Sequence, residues 1–99
     1  MYITIRRYKA DSPKEAARVT NEGFIPLLSK IAGLVAYYGI ETGEDSWTTV
    51  SVFETPAGAE ESNRVAAEFV KNNPDAARAV KPKPEIIAGS VSAHKSQIG

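Results

Sequence analysis

The chain has 99 residues, 42% of them hydrophobic and 24% charged, a composition that fits one globular domain and argues against disorder. Its 12 basic and 12 acidic side chains cancel, which removes the broad positive field that nucleic-acid binding draws on. With no cysteine there is no disulfide or thiolate site, and no apolar run reaches the length of a membrane span, so a cytoplasmic protein with neither a nucleic-acid nor a membrane partner is expected. A chain this short buries only part of its surface alone, which leaves room for a partner subunit.

Tyr2 to Tyr8 is rich in β-branched and aromatic residues and reads as a strand, with Ile3 and Ile5 on one face and Tyr2, Thr4, Arg6 and Tyr8 on the other. Ser12-Pro13-Lys14-Glu15 then supplies an N-cap, a proline at the first helical position and a capping-box glutamate. Helical spacing places Ala16, Thr20, Gly23, Phe24, Leu27 and Ile31 on one side. Pro26 removes a backbone donor, so this helix should bend or break near Gly23.

After Ala32-Gly33, the stretches Leu34 to Glu41 and Trp47 to Phe53 read as strands of a hairpin, joined by turn residues from Thr42 to Ser46. Thr55-Pro56 opens a second helix that runs to about Lys71 and stops at Asn72-Asn73-Pro74. Ala59, Ser62, Asn63, Ala66, Phe69 and Val70 share one face of it, so the polar pair Ser62 and Asn63 points inward. Asp75 to Val80 suits a short helical turn, Lys81-Pro82-Lys83-Pro84 an extended connector, and Ile86 to His94 a last strand, with fraying after Lys95.

The order β-α-β-β-α-β predicts an α+β, ferredoxin-like fold in one domain spanning residues 1–99, with four antiparallel strands and the helices on one face. The open face should then show Tyr, Thr, Ser, Arg and His side chains among apolar ones, the mixture expected where a second sheet packs on the first. The chain resembles the dimeric α/β barrel superfamily, and within it the antibiotic biosynthesis monooxygenase-like domains. The likeness rests on the element order, on Ile31-Ala32-Gly33-Leu34-Val35-Ala36-Tyr37-Tyr38, and on Val50-Ser51-Val52-Phe53-Glu54 leading into an Ala-rich helix. It implies a homodimer and a ligand cavity between sheet and helices. Members range from cofactor-free oxygenases to proteins of no known activity, so fold alone leaves the function wide.

In the oxygenases an Asn, a Trp and sometimes an Arg line that cavity, which makes Asn63 and Trp47 the catalytic candidates and Arg6, Tyr8, Ser62 and Phe24 the ligand-binding ones. Read from the residues alone, Asn63 either holds a phenolic or enolic oxygen of a substrate or satisfies a neighbouring backbone group. Trp47 either walls an aromatic cavity or closes one end of the core. Arg6 and Tyr8 either orient an anion or meet a partner's Glu41 or Glu54. His94 is a lone imidazole, a general base or a surface contact. No metal site is expected, since one His without Cys is a poor start. The haem-degrading members bind iron through a His on the second helix, which this chain lacks, so no cofactor is expected. The functional expectation is a cofactor-independent monooxygenase or related small-molecule enzyme acting on an aromatic or enolic compound; the alternative is a non-catalytic dimeric module that binds a small apolar ligand or a protein partner.

Overall fold

Tyr2 pairs with Phe53 and Lys9 with Ser46, so the N-terminal strand β1 (Tyr2–Lys9) lies along the full length of β3 (Ser46–Phe53). On its other side β1 pairs with β4 (Glu85–Ser90), and β3 pairs with β2 (Leu34–Gly43), giving one antiparallel sheet in the order β2-β3-β1-β4. This is the ferredoxin-like arrangement with helices on one face. The computed structural model describes residues 1–96; the fraying expected after Lys95 falls mostly outside them. No helix among the described residues is long and apolar enough to cross a membrane.

The last strand is shorter than its sequence suggests. Tyr2 is opposite Ser90, and just beyond that pair the Val91 N–H bonds the Met1 carbonyl at 3.0 Å, so β4 runs out of strand partner where β1 begins. His94 therefore lies beyond the sheet and is exposed, which corrects the strand expected to reach it.

The first helical segment begins as expected, with Ser12 Oγ accepting from the Glu15 N–H, but is not one helix. It divides into α1 (Pro13–Val19), a π-helical turn over Thr20–Phe24, and α2 (Ile25–Leu28). Pro26 has no N–H to give, and its ring would press on the carbonyl one turn back. The chain responds with a wider turn in which the Ile25 N–H reaches back to the Thr20 carbonyl. The extra residue rotates the next helical turn by about 100°, so Leu28 is buried at 1% exposure while Leu27, expected inside, is 38% exposed.

The second long helix, α3 (Pro56–Asn72), is capped by Thr55 Oγ1, which accepts from the Gly58 N–H. A short α4 (Pro74–Ala79) comes next, capped by Asn73 Oδ1, and the connector after it is tied to β1 by a 2.8 Å bond from the Lys81 N–H to the Lys9 carbonyl.

The two faces of the sheet are the reverse of the simplest reading. Thr4, Arg6, Tyr8, Trp47, Thr49, Ser51 and Phe53 are the buried set under the helices. The open face carries Ile3 and Ile5 in register with Val52 and Val50, beside Tyr38 and Ile87, which are 57% and 67% exposed. A polar face buried by helices and an apolar face left open invert the usual amphipathic sheet.

Gly39 shows how tightly one corner of the buried side is filled. A Cβ there would stand 2.5 Å from Trp47 Cζ2, so the indole lies against bare backbone. Gly39→Ala is expected to destabilise by about 1–3 kcal/mol through overpacking. Urea unfolding measures it, and in a Trp47→Phe background, which lacks the clashing ring, the same change should cost much less.

Candidate functional site

The buried apolar side chains form two clusters. One gathers Tyr8, Ala16, Val19, Trp47 and, from α4, Ala76 and Ala79; the other gathers Phe24, Leu28, Phe53, Ala59 and Ala66. Between them runs a polar seam built by alternation on β1 and β3 and by one turn of α3. Arg6 is its centre and is 1% exposed.

Arg6 Nη1 donates to Asn63 Oδ1 at 2.8 Å and to Ser62 Oγ at 3.3 Å, while Nη2 donates to Ser51 Oγ at 3.0 Å. Thr4 Oγ1 donates to the same Asn63 oxygen at 3.1 Å, and Ser62 Oγ passes its own proton to the Ala59 carbonyl at 2.7 Å. All the acceptors that hold the guanidinium are neutral. Among the described residues no carboxylate pairs with Arg6, so a full positive charge stands in the core with no counter-charge. The Phe24 ring, 5.7 Å from the guanidinium carbon, adds only a cation–π contact.

Two donors converge on Asn63 Oδ1, which fixes the amide the other way round for whatever approaches from outside: its nitrogen is left as a donor. Asn63 lines a groove of about 580 Å³ between α3 and the connector before β4, within the size range of small-molecule sites. Ala67, Val70, Ile86 and the prolines Pro82 and Pro84 make its apolar walls, and its charged lining is Arg6, Lys71 and Lys83 with no carboxylate. Lys83 is held at φ 65°, an uncommon backbone for a residue with a Cβ, so the groove's rim is a strained turn.

On the other side of Arg6 lies a second, narrow cavity of about 30 Å³, lined among others by Tyr8, Phe24, Tyr37, Trp47 and Thr49. Phe24 stacks at a tilt on Tyr37 and Phe69, with ring centroids 5.7 and 5.6 Å away, and these rings fill the space that a large ligand would need. Arg6 and Tyr8 border both spaces.

Burial pushes the Tyr37 hydroxyl up to about 12, and the Arg6 charge only partly opposes the rise; Tyr8 is raised for the same reason. The folded pKa of Tyr37 lies above its unfolded value near 10, so its stabilising contribution is whole below pH 10 and is lost as pH climbs through 12. Tyr37→Phe should therefore remove about 2 kcal/mol of the stability lost between those limits, read by urea unfolding on either side of the window.

No protein-family model and no curated protein sequence matches the chain. Solved structures do. A protein of unknown function from Nitrosomonas europaea, NE2512, superposes with a TM-score of 0.70 at 22% identity, covering 99% of this chain and 95% of that one. SnoaB, a cofactor-independent oxygenase from Streptomyces nogalater, superposes with a TM-score of 0.67 at 11% identity over 99% and 97% of the two chains. A dimeric ferredoxin-like protein from an uncultured marine organism gives 0.68 at 15% identity over 97% and 98%. The chain has the ferredoxin-like fold that these structures share.

Within that fold, the residues singled out from sequence divide between the two spaces. Arg6, Ser62 and Asn63 form one hydrogen-bonded unit, and Asn63 faces the groove. Trp47 and Phe24 border the narrow cavity on the far side of Arg6 and do not line the groove; Tyr8 borders both. Ser62 is fully buried, so it supports Arg6 and does not face either space. Sequence reasoning missed Ser51 and Thr4, which complete the seam, and Lys71 and Lys83 at the groove. The signal for the first two was present: an inward Ser-Asn pair on a helix needs polar partners on the strands beneath it.

Proposed function

We propose that the chain is a cofactor-independent monooxygenase or a related small-molecule enzyme whose groove at Asn63 takes an aromatic or enolic anion. The observation that carries the reading is the buried Arg6 guanidinium, without a counter-charge, bonded to an asparagine whose oxygen is taken up by Arg6 and Thr4 and which lines a cationic, mostly apolar groove. The fold shared with SnoaB, itself a cofactor-independent oxygenase, supports it.

In this scheme the apolar walls take the ring system and the amide nitrogen of Asn63 donates to the substrate's oxygen. Arg6, drawing on Asn63 Oδ1, polarises the amide and favours the phenolate or enolate over its neutral form. The electron-rich carbon of that anion reduces dioxygen by one electron and recombines with it. The resulting peroxide loses water, so a ring methylene becomes a carbonyl, one oxygen atom entering the product and the other leaving as water. The deciding measurement is oxygen uptake with anthrone-type substrates, without added flavin or metal. One O₂ consumed per quinone formed is the expected result; neither uptake nor calorimetric binding across such substrates would overturn the reading.

The groove lining contains no imidazole or carboxylate to take a proton, which favours as a second reading a non-catalytic binding module. Saturable binding of the same compounds without oxygen uptake would select it.

Either reading includes a homodimer in which two open sheet faces meet as a dimeric α/β barrel. The apolar stripe of Ile3, Ile5, Val50, Val52, Tyr38 and Ile87 supports it, as does the dimeric neighbour of the same fold. Light scattering at micromolar concentration should return twice the chain mass, and a monomer would refute this assembly.

A further inference from the structure

The narrow cavity behind Arg6 has no part in the groove chemistry, yet it contains the two buried polar atoms of the described core that find no partner. These are Arg6 Nε and Thr49 Oγ1, on residues 1% and 3% exposed, and both residues line the cavity. A buried N–H or hydroxyl left unbonded costs about 1–3 kcal/mol, more when the group is charged. Two residues that carry such atoms and line one space point to an occupant that accepts from both.

The chemistry of the lining narrows the occupant. Arg6 has only donors, and of its five N–H groups three are used by Ser62, Asn63 and Ser51. Thr49, Tyr8 and Tyr37 bring hydroxyls that can each donate or accept; both tyrosine hydroxyls lie near Arg6, and that of Tyr37 near Thr49, yet neither satisfies Arg6 Nε or Thr49 Oγ1. Thr20 adds a hydroxyl and Trp47 an indole N–H, and the remaining walls, among them Phe24, Ala66 and Phe69, are apolar. The cavity offers donors and one uncompensated positive charge, and no carboxylate. Neither tyrosine supplies the missing negative charge at neutral pH, since burial raises both hydroxyls and holds them protonated.

Size narrows it further. About 10–15 Å³ of such space holds one water, so a cavity of about 30 Å³ admits one atom somewhat larger than water, or two waters, and excludes a ring or a tetrahedral oxyanion. Water would satisfy the hydrogen bonds and leave the charge. A monatomic anion satisfies both.

We propose that this cavity is a binding site for a small monovalent anion of the halide class, held by Arg6 Nε and Thr49 Oγ1 and serving as the counter-charge of the buried guanidinium. The site shares Arg6 with the groove, but the inference does not rest on the enzymatic reading. Because an anion bound only by the folded chain stabilises it by mass action, halide concentration becomes a determinant of stability.

The test is thermal unfolding of the full chain, dialysed free of halide, titrated with sodium chloride or bromide against sodium gluconate at matched ionic strength. A saturable rise in melting temperature with the two halides and none with gluconate is expected. Bromide soaked into crystals should give anomalous density between Arg6 Nε and Thr49 Oγ1. Thr49→Val keeps the side-chain shape and removes one ligand, so the half-saturating halide concentration should rise at least about tenfold. Equal melting curves in chloride and gluconate would overturn the proposal, as would a halide response unchanged in Thr49→Val or bromide density confined to the surface. Density fitting water alone in the bromide crystal would likewise assign the cavity to solvent and overturn it.

Discussion

Asn63→Ala is expected to lower the rate of oxygen uptake about 100-fold near neutral pH, the effect of deleting one preorganised donor to a substrate oxyanion. The loss has a particular pH signature. If the amide acts by favouring the substrate's anion, its removal raises the substrate's pKa in the groove by about two units. The deficit should then shrink as pH rises, because solvent supplies the anion that the protein no longer does. A loss that persists undiminished at high pH would mean that Asn63 positions the ring and leaves its ionisation alone. Stability should change little by comparison. Thr4 Oγ1 and Arg6 Nη1 lose one acceptor, but Nη1 retains Ser62 Oγ and the position is only half buried. A variant that fails to fold would show instead that Asn63 exists to satisfy Arg6.

The element order, both long helical faces in outline and the inward turn of Ser62 and Asn63 were readable from the residues, because each rests on local periodicity and capping. What was not readable was which face of the sheet meets the helices. Alternation separates Ile3 and Ile5 from Thr4, Arg6 and Tyr8 with certainty, but it carries no sign. The ordinary preference for apolar residues under helices points the wrong way here, since the isoleucines lie on the open face. Ser62 and Asn63 held the missing information. Two polar groups facing inward require hydrogen-bond partners, and on β1 only the Thr4 and Arg6 face provides them.

The π turn is a different kind of omission. Pro26 announced a defect near Gly23, and the defect is there. A kink and an inserted residue satisfy the same missing N–H, however, and only the insertion changes which of Leu27 and Leu28 is buried. Its consequence reaches the site. Phe24 ends the wide turn and packs on Tyr37, Phe69 and the Arg6 guanidinium, which narrows the space behind Arg6 to the size of an ion. A straight helix would take a different phase there.

Arg6→Met, assayed in halide-free buffer, is expected to raise thermal stability while abolishing ligand binding in the groove. Most changes at a fully buried, multiply bonded side chain destabilise, so the direction is diagnostic. Desolvating an unpaired guanidinium costs several kcal/mol even after relaxation, and here no carboxylate offsets it. Against that stand hydrogen bonds to neutral acceptors, of which Ser62 Oγ keeps its bond to the Ala59 carbonyl and Asn63 Oδ1 keeps the Thr4 hydroxyl. Methionine fills much of the same volume along the same strand face, between two clusters that are already apolar. Replacing buried ionic groups by apolar ones of similar size stabilises by about 1–4 kcal/mol where it has this form, and a gain in that range is the expected outcome. A fall of about 3–5 kcal/mol, the usual effect of breaking a buried charged network, would assign Arg6 to the architecture of the seam. A gain would mean that the chain retains, at the centre of its core, a charge that costs stability, as a residue kept for binding or polarising an anion would.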